Sequence, residues 1–514
     1  MARKETAGGS LLARAILALS LMIGFYLLAL GIVVGLGAIA VLQVTSSQSS
    51  GASWRLLIFV ALAVFAVVKG IIPRRQKFVE PGPRLTEDEQ PELFEEIRRT
   101  AEATESAMPE EVYLAPDVNA GVAHVGGFVG IGSRPIMILG LPLIAVLRVS
   151  ELRGVIAHEF GHYVGGETKL APLIYRTRDA ISRTVFGLAT SDQGFQQLLS
   201  FPFLWYGRLY LRATQAVSRR QELDADRMAA RVAGGTSMES GLVKIHAAGL
   251  AFGPYMNELG AVLFSGSLPP VAEGFSRFLE GSETRAALDR VTEEDLREGR
   301  SDPYDSHPSL RQRLDALKDA PHQPALVPDP AAIELLQNEP ILEGALLTRI
   351  TRVDVPSLKP IGWDDVGSVW LAIWRKRCQE EHKALAGITP DMLPRVCQDP
   401  AAHERLIRLP KPGLSRHNVL WSVIGAALAV VLTRRGWAMD AGPGDPVVVS
   451  RDGLVIEPFD VMPHLLDGRL SGEAWQRTCG EAGIAGIDLG DAAIPEADIG
   501  GGGGTAAPHG QITT

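Results

Sequence analysis

One stretch near the N-terminus constrains the fold more than any other. No charged residue occurs from Ala15 to Trp54, and Ala15–Leu42 is almost entirely apolar. A helix of about 20 apolar residues spans the roughly 30 Å of hydrocarbon in a bilayer. A second apolar segment, Leu56–Ile72, is interrupted only by Lys69, whose long side chain can reach the membrane surface. The sequence therefore predicts an N-terminal hairpin of two transmembrane helices.

Basic residues flank this hairpin on both sides: Arg3, Lys4 and Arg14 before it, and Arg74, Arg75 and Lys77 after it. By the positive-inside rule both ends face the cytoplasm. The first segment is too long for the core of a signal peptide, so we expect no cleavage. These features predict a multi-pass protein of the cell (inner) membrane with its main domain in the cytoplasm. The three widely spaced cysteines, Cys378, Cys397 and Cys479, agree with a reducing compartment.

Composition limits the classes of partner. The chain is 46% hydrophobic and 21% charged, with a net charge of −9, as expected for a globular protein with a membrane portion. It has no basic stripe, which argues against nucleic acid as a partner. We therefore expect protein or peptide substrates and contact with the lipid bilayer.

A metal-binding site is indicated by an H-E-x-x-H motif, His158-Glu159-Phe160-Gly161-His162. On a helix the two histidines share a face, so both can bind one cation, and Glu159 lies beside them. Ser150 as N-cap, an apolar face that includes Leu152 and Ile156, and a stop at Gly165-Gly166 predict that helix. Because chance produces the motif in roughly one chain in a hundred of this composition, a buried helix with hydrogen-bonded histidines stays an alternative.

A catalytic zinc site needs a third protein ligand. The extended motif with a third histidine is excluded, because position 168 is Thr. About sixty residues downstream, Glu222 and Asp226 are four residues apart in a segment rich in helix formers, which Gly234-Gly235 ends. A charged helix surface is the plainer interpretation of this segment alone. Beside the first motif, it predicts a carboxylate ligand from a second helix.

The three blocks A-H-E-F-G-H, R-x-x-E-L-x-A-D and H-P-S-L-R-Q-R-L resemble the HtpX-like and CAAX-prenyl-protease-like membrane zinc metallopeptidases, which are gluzincins. The resemblance covers roughly residues 85–320. It implies one Zn²⁺ per chain bound by His158, His162 and Glu222, with Glu159 as general base. It also implies that Asp226 orients a ligand or an active-site side chain.

The third block adds two further site residues by resemblance. His307 and Arg313 match residues that help to stabilise the tetrahedral intermediate or to order the site. Taken alone, His-Pro before an amphipathic segment is usually a helix start. Upstream, Asn119-Ala120 matches the beginning of a family motif, but Gly121 departs from it. An edge strand in this position would hold a peptide in extended form.

Together these features predict an α+β fold: a mainly helical zincin-type protease domain with a small β-sheet, an N-terminal two-helix transmembrane hairpin and an additional C-terminal region. The residues alone predict strands at 111–115 and 135–140 around a Gly-rich turn. The apolar run Val419–Leu432, only about 21 Å long as a helix, predicts a buried helix. Strands joined at Asp452-Gly453 are also predicted. The expected domains are a membrane anchor (1–78), a zinc metallopeptidase domain (79–320), a Pro-rich linker (321–340), a C-terminal domain of unknown role (341–497) and a disordered tail (498–514).

The leading functional hypothesis is a membrane-anchored zinc endopeptidase. It would hydrolyse peptide bonds of membrane or membrane-proximal proteins with a zinc-activated water and Glu159 as general base. The alternative is a membrane-tethered scaffold or binding protein with a vestigial zinc site, in which the C-terminal region binds a protein partner. A purely structural zinc needs no general base, so Glu159 argues for the enzyme.

Overall fold

The computed structural model describes residues 2–46, 53–71, 78–125, 134–164, 177, 180–185, 194–299, 308–318, 320, 328–409, 413 and 415–494. Several predicted features lie outside these residues: the basic residues Arg74, Arg75 and Lys77, the Gly165-Gly166 stop, Thr168, His307 and the Gly-rich tail that begins at Gly500.

The described part of the chain is mainly helical. The helices are α1 (Ala2–Ser46), α2 (Ser53–Ile71), α3 (Pro91–Ala103), α4 (Leu141–Val146), α5 (Val149–Val164), α6 (Gly194–Ala233), α7 (Gly235–Phe264), α8 (Val271–Glu280), α9 (Ser282–Glu298), α10 (Leu310–Leu317), α11 (Glu339–Ile350), α12 (Val366–Glu380), α13 (His382–Leu385), α14 (Leu393–Gln398), α15 (Ala401–Glu404), α16 (Arg416–Arg434), α17 (Val461–Asp467) and α18 (Gly472–Glu481). Short 3₁₀ turns occupy Ala332–Leu335, Val355–Ser357, Trp363–Asp365, Pro390–Met392 and Leu489–Ala493. This content agrees with the predicted mainly helical fold.

A small four-stranded sheet stands before the motif helix in the chain. Its strands are β1 (Arg84–Leu85), β2 (Glu111–Ala115), β3 (Ala120–Val125) and β4 (Arg134–Gly140), in the spatial order β1-β2-β4-β3. The pair β2–β4 is parallel and the pairs β1–β2 and β3–β4 are antiparallel. The two predicted strands are confirmed to within one residue. Strand β3, where the residues alone indicated a turn, forms one edge of the sheet.

By their internal contacts the residues form two compact units that are discontinuous in sequence. The first unit comprises 1–248 and 290–342, and the second comprises 249–289 and 343–514. The predicted domain bounds treat each domain as one continuous segment, whereas here a part of the 79–320 segment joins the C-terminal residues. Packing between distant segments produces such a division, and no local pattern in the chain marks it.

The second unit has its own core around α16. Every residue of α16 from Val423 to Leu432 is buried, and Leu428 and Val430 are completely inaccessible. This part of α16 is therefore enclosed on all sides by protein, as predicted for the apolar run. A three-stranded antiparallel sheet, β7 (Ala438–Asp440), β8 (Val448–Arg451) and β9 (Leu454–Ile456), lies in the same unit. A separate parallel pair joins β5 (Ser267–Leu268) to β6 (Lys359–Pro360).

The predicted hairpin turn between β8 and β9 is confirmed. Asp452 and Gly453 both have positive φ, 53° and 83°. This left-handed backbone at both central positions is typical of a tight two-residue hairpin, and it explains the Asp-Gly sequence.

Within the part of the chain that the structure describes, two helices are long and apolar enough to cross a membrane, judged by length and composition: Leu19–Thr45 within α1, and α16. Helix α2, the second predicted span, contains a shorter apolar stretch, Val60–Lys69. It packs on α1, where Leu36 meets Val60 and Ala63. An N-terminal apolar helix is thus present, and its length and composition are those of a membrane-associated helix.

Candidate metal centre

The motif helix α5 begins on a carboxylate supplied from far along the chain. Ser150 is not its N-cap, because the helix starts one residue earlier, at Val149. The backbone N–H of Ser150 donates to Oδ1 of Asp329 at 3.0 Å, and its hydroxyl donates to Oδ2 at 2.7 Å. The N–H of Val149 donates to the carbonyl of Pro330. A negative side chain at a helix N-terminus satisfies free N–H groups and stabilises the helix.

A glycine inside the motif lets α5 and α6 approach closely. A Cβ atom on Gly161 would lie 3.1 Å from Cα of Ala225 and 3.2 Å from Sδ of Met228. These separations are tighter than ordinary van der Waals contact. Because Gly161 precedes His162, and Ala225 lies one turn after Glu222, this close packing brings the histidines to the carboxylate.

His158, His162 and Glu222 converge as the sequence predicted for a metal site. The two Nε2 atoms are 3.1 Å apart. The Glu222 carboxylate lies 3.5 Å from Nε2 of His158 and 3.6 Å from Nε2 of His162. Zinc bound tetrahedrally at about 2.0–2.1 Å separates its ligand atoms by about 3.3 Å, so the cluster has nearly the size that such a site requires. Their roles as ligands stay a prediction.

The contact that the Nδ1 atom of His158 makes also fits metal binding through Nε2. Its Nδ1 lies 2.9 Å from Oδ1 of Asp226, which is completely buried. A carboxylate at Nδ1 favours the proton on that nitrogen and leaves the lone pair of Nε2 directed into the cluster. Arg313 in turn donates from Nε (2.9 Å) and Nη2 (2.6 Å) to the two oxygens of Asp226. A chain Arg313–Asp226–His158 therefore holds this imidazole.

Helix α10, which carries Arg313, begins with a full capping box. The Ser309 hydroxyl accepts from the N–H of Gln312, and the Gln312 side chain accepts from the N–H of Ser309. The expected helix start after His-Pro is confirmed here. His307 lies outside the described residues, so its predicted role is not located. Arg313 lies where it orders Asp226, and its action on a reaction intermediate stays a prediction.

Glu159 lies between the motif helix and the edge of the sheet. Its carboxylate accepts a hydrogen bond from the backbone N–H of Val122 on β3. His124 of β3 faces Pro135 of β4, and because Pro135 has no N–H this pair cannot exchange two backbone hydrogen bonds. Hydrogen-bonded and non-hydrogen-bonded pairs alternate along an antiparallel ladder, so Val122, two residues away, is also in a non-hydrogen-bonded pair. The N–H of Val122 therefore points away from β4, to the open edge of the sheet. The candidate general base therefore lies directly beside an edge strand.

Electrostatics within the cluster follow from burial and from the neighbouring carboxylates. Burial lowers the pKa of His158, but hydrogen bonds with Asp226 and Glu222 outweigh it and raise that pKa to about 9. The pKa of His162 falls to about 4, first through burial and then through the charge of His158. Burial raises the pKa of Glu159. The imidazole pair thus accepts one positive charge, not two.

Asp226 keeps its charge in spite of burial. Burial alone would raise its pKa, but hydrogen bonds from Arg313 and His158 lower that pKa below its ordinary value. Arg313 has a raised pKa for the reciprocal reason, since its contact with Asp226 outweighs burial. The buried pair therefore stays ionised, with each partner hydrogen-bonded, which is the condition for a stable buried ion pair.

Three residues of this centre were not identified from the sequence: Asp329, Gly161 and Val122. Asp329 lies in the predicted linker, and its only local signal is the following proline. Gly161 is unremarkable in a helix until its neighbour Ala225 is known. Val122 acts through its backbone, which no side-chain pattern reveals.

Comparison with known proteins adds the family. Residues 87–320 match the model of Peptidase family M48. No curated protein matches the chain. The matched segment contains the H-E-x-x-H helix, the helix of Glu222 and the helix of Arg313, and it agrees with the resemblance stated from these motifs. The structure brings His158, His162 and Glu222 into one cluster that can hold a metal ion. Over residues 87–320 the chain is therefore similar to peptidase family M48, a match that is consistent with the metallopeptidase family that its three motifs resemble.

Proposed function

We propose that this protein is a membrane-anchored, zinc-dependent endopeptidase that hydrolyses peptide bonds of membrane or membrane-proximal proteins. The observation that carries the proposal is the cluster of His158, His162 and Glu222, with Glu159 one residue along the same helix. Two imidazoles and one carboxylate leave a tetrahedral position open, which is the donor set of a catalytic and not of a structural zinc site.

The residues divide the chemistry among them. Zn²⁺ bound by the three ligands supplies a Lewis acid that polarises the scissile carbonyl and makes water acidic near neutral pH. Glu159 accepts a proton from the attacking water and delivers it to the leaving amine. Asp226 holds His158 in the productive tautomer, and Arg313 keeps Asp226 ionised. We assign His307 to stabilisation of the oxyanion, together with the positive charge of Arg313.

The membrane anchor is the hairpin of α1 and α2, with both ends in the cytoplasm. The apolar segment Leu19–Thr45, the basic residues that precede this segment and the basic residues after α2 support this orientation. The protease unit then faces the cytoplasm from the cell (inner) membrane. We assign to the C-terminal unit the binding of a protein partner or substrate.

The test compares the wild type with Glu159→Gln for bound zinc and for cleavage of an unfolded protein. We expect equal zinc in both proteins and a loss of at least about 100-fold in turnover for the variant, since general-base catalysis contributes about 10²–10⁴-fold. Glu92→Gln, an exposed acidic position on α3, is the matched control and retains activity.

Two outcomes contradict the proposal. Zinc bound without wild-type cleavage of any substrate favours the scaffold with a vestigial site. Absence of zinc from purified wild type removes the metal centre itself. Glu222→Ala sharpens the second outcome, because losing a ligand must lower zinc content as well as activity.

A further inference from the structure

A cavity of about 340 Å³ lies within the second unit. It is lined by the end of α8, by the 3₁₀ turn before α12, by the first turn of α12, and by the segment that runs from β7 into a Gly-Pro-Gly loop. All of these residues belong to the second unit, so this unit forms the cavity alone. Its volume is at the lower end of the range for ligand pockets. It therefore has room for a small ligand or for one or two side chains of a larger partner.

The cavity lies at the open edge of β7. Strand β7 is at the edge of its sheet, because the spatial order of the strands is β7-β8-β9. Met439 and Asp440 both line the cavity. Successive side chains of a strand point to opposite faces of the sheet, so a cavity that touches two consecutive residues lies beside the strand and not over one face. Since β8 occupies one side of β7, the cavity borders the side that is open.

The hairpin of β8 and β9 determines which backbone groups of β7 are free. Its two-residue turn makes Arg451 and Leu454 a hydrogen-bonded pair, and such pairs alternate with non-hydrogen-bonded pairs along an antiparallel ladder. Along β8, Ser450 therefore turns its N–H and C=O to β7, whereas Val449 turns its own to β9. Met439 faces Val449, so its N–H and C=O point to the open edge, and no described residue bonds them. One residue of an added strand can form two backbone hydrogen bonds there.

The walls of the cavity are held in place by hydrogen bonds. The N–H and the hydroxyl of Ser282 donate to Oδ1 of Asp445 at 2.7 and 2.8 Å, which fixes the Gly-rich loop to the start of α9. The Trp363 ring is buried, and its Nε1 donates to the carbonyl of Pro270 at 2.7 Å. A preformed cavity costs a ligand little ordering of the protein.

The charge of the lining is negative. Four carboxylates line the cavity: Glu280, Asp364, Asp440 and Asp445. Arg277 supplies the one guanidinium among the described lining residues, and it is already paired with Asp364 and Glu273, each at 2.7 Å. Glu280 and Asp440 are exposed and make no hydrogen bond or ion pair with any described residue. Two carboxylates of the cavity are therefore free to meet a cation.

These carboxylates are too far apart to share a metal ion. Among the residues that the structure describes, the one group of three with ligand atoms within 4.8 Å of one another is the cluster of His158, His162 and Glu222. A longer organic cation can instead reach carboxylates that are separated. Trp363 and Met439 add an apolar wall, which suits the aliphatic stem of a Lys or Arg side chain.

We propose that this cavity and the open edge of β7 form a docking site for an extended basic segment of a protein partner or substrate. One residue of the segment pairs with Met439, and a Lys or Arg side chain of the segment enters the cavity beside Glu280 and Asp440. Backbone pairing supplies affinity, and the acidic cavity supplies selectivity. This inference deepens the binding role that we assigned to the C-terminal unit, and it rests on that assignment.

Binding is measured with the zinc-loaded full-length Glu159→Gln protein in neutral detergent, so that no peptide is consumed. The ligand is a fluorescent peptide, Thr-Val-Arg-Val-Lys-Val-Thr, and its counterpart carries Glu in place of Arg and Lys. We expect fluorescence anisotropy to show at least about tenfold tighter binding of the basic peptide, and we expect NaCl to reduce this preference by screening the charges. Equal binding of the two peptides overturns the proposal.

The cavity is tested by removing its two free charges. The double variant Glu280→Gln with Asp440→Asn, in the same background, should bind the basic peptide at least about tenfold more weakly. The matched control is Glu473→Gln with Glu481→Gln, two exposed positions on α18 that change the net charge equally, and it should bind within about twofold of the parent protein. Near-UV circular dichroism verifies that both proteins are folded. Equal affinity of the two double variants places the peptide elsewhere and overturns the proposal.

The strand pairing is tested from the side of the peptide, which leaves the protein unchanged. Each peptide residue is N-methylated in turn. Only the residue that pairs with Met439 donates its N–H to β7, so we expect a methyl group at one position to weaken binding at least about tenfold and methyl groups at both neighbours to be tolerated. Equal tolerance at all positions overturns the pairing.

Cleavage of an unfolded protein by the wild type is measured separately. Cleavage without docking of the basic peptide rejects this inference and leaves the peptidase function intact. Docking without any cleavage counts against the peptidase function instead, and the docking site stands.

Discussion

Helices α1 and α16 pass the same test of length and apolarity, and their surroundings are opposite. Only 17% of the apolar window of α1 is buried, against 67% of that of α16. In α1, Leu27, Leu30 and Val34 expose more than half of their surface, whereas Leu428 in α16 exposes none. An apolar helix is satisfied either by lipid or by its own protein. The comparison teaches that composition identifies the need for an apolar environment, and that packing identifies which environment meets it.

The largest effect is expected from a charge in the core of the second unit. Leu428→Asp buries an unpaired carboxylate and should cost at least about 4 kcal/mol, enough to unfold much of this unit. Leu466→Asp, at a site with 57% exposure on α17, is the control and should change stability by about 0.5 kcal/mol or less. Thermal unfolding of the full-length protein by near-UV circular dichroism measures both. Equal stability of the two variants would contradict the assignment of α16 to a protein core.

A charge in α1 should act on the membrane and not on the fold. Leu30→Arg, near the middle of the span, should cost about 2.5–3.5 kcal/mol of insertion free energy. The measurement is the fraction of protein that resists alkaline carbonate extraction, with Leu30→Met as control. We expect less retention with unchanged unfolding of the second unit. Unchanged retention would show that α1 does not anchor the chain.

Gly→Ala substitutions in α16 and in α1 test the same contrast, with a smaller expected change in the free energy of unfolding. A Cβ at Gly425 of α16 would lie 2.7 Å from Cδ1 of Phe459, whereas a Cβ at Gly35 of α1 would meet nothing within 4 Å. Gly425→Ala should therefore destabilise by about 1–3 kcal/mol through overpacking. Gly35→Ala should be neutral or slightly favourable, since Ala forms helix better by about 1 kcal/mol. The two midpoint temperatures distinguish these cases, and a loss at Gly35 equal to that at Gly425 would erase the contrast.

The last effect concerns pH. In the second unit, burial and the nearby Glu283 carboxylate raise the pKa of Glu258 from 4.5 to about 7. A carboxyl with a raised pKa contributes its stability below pH 4.5 and loses it as pH rises through 7. The second unit should thus be less stable at pH 8 than at pH 5, and Glu258→Gln should reduce that difference. Chemical unfolding at both pH values measures it, and an unchanged difference in the variant would refute the assignment.

Local signals in the chain predicted local structure well. The Asp452-Gly453 turn, the helix after Pro308 and the strands predicted at 111–115 and 135–140 all depend on neighbours in sequence, and all are present to within one residue. The buried state of α16 was predicted from the shortness of its apolar run. The family resemblance was recognised because three short motifs carry it, and these motifs are read directly from the sequence.

What the sequence did not reveal depends on contacts between distant residues. Asp329 reaches Ser150 across 179 positions, and no local pattern connects them. The closeness of Gly161 to Ala225 requires two helices to be packed first. The grouping of residues 249–289 with the C-terminal segment likewise depends on a core that is assembled from separate parts of the chain.

The sequence by itself determined three features of this protein. They are two histidines and a glutamate on one helix, a second helix with acidic residues, and an apolar segment near the N-terminus that is long enough to span a bilayer. Side-chain type and helical spacing suffice for these features. Only the tertiary structure decided that Glu222 meets the histidines and that Asp226 and Arg313 hold His158. It also decided that the apolar surface of α1 is exposed, while that of α16 is buried by the protein around it. The physical reason is that burial and distance belong to packed pairs of elements, which spacing along one chain does not specify.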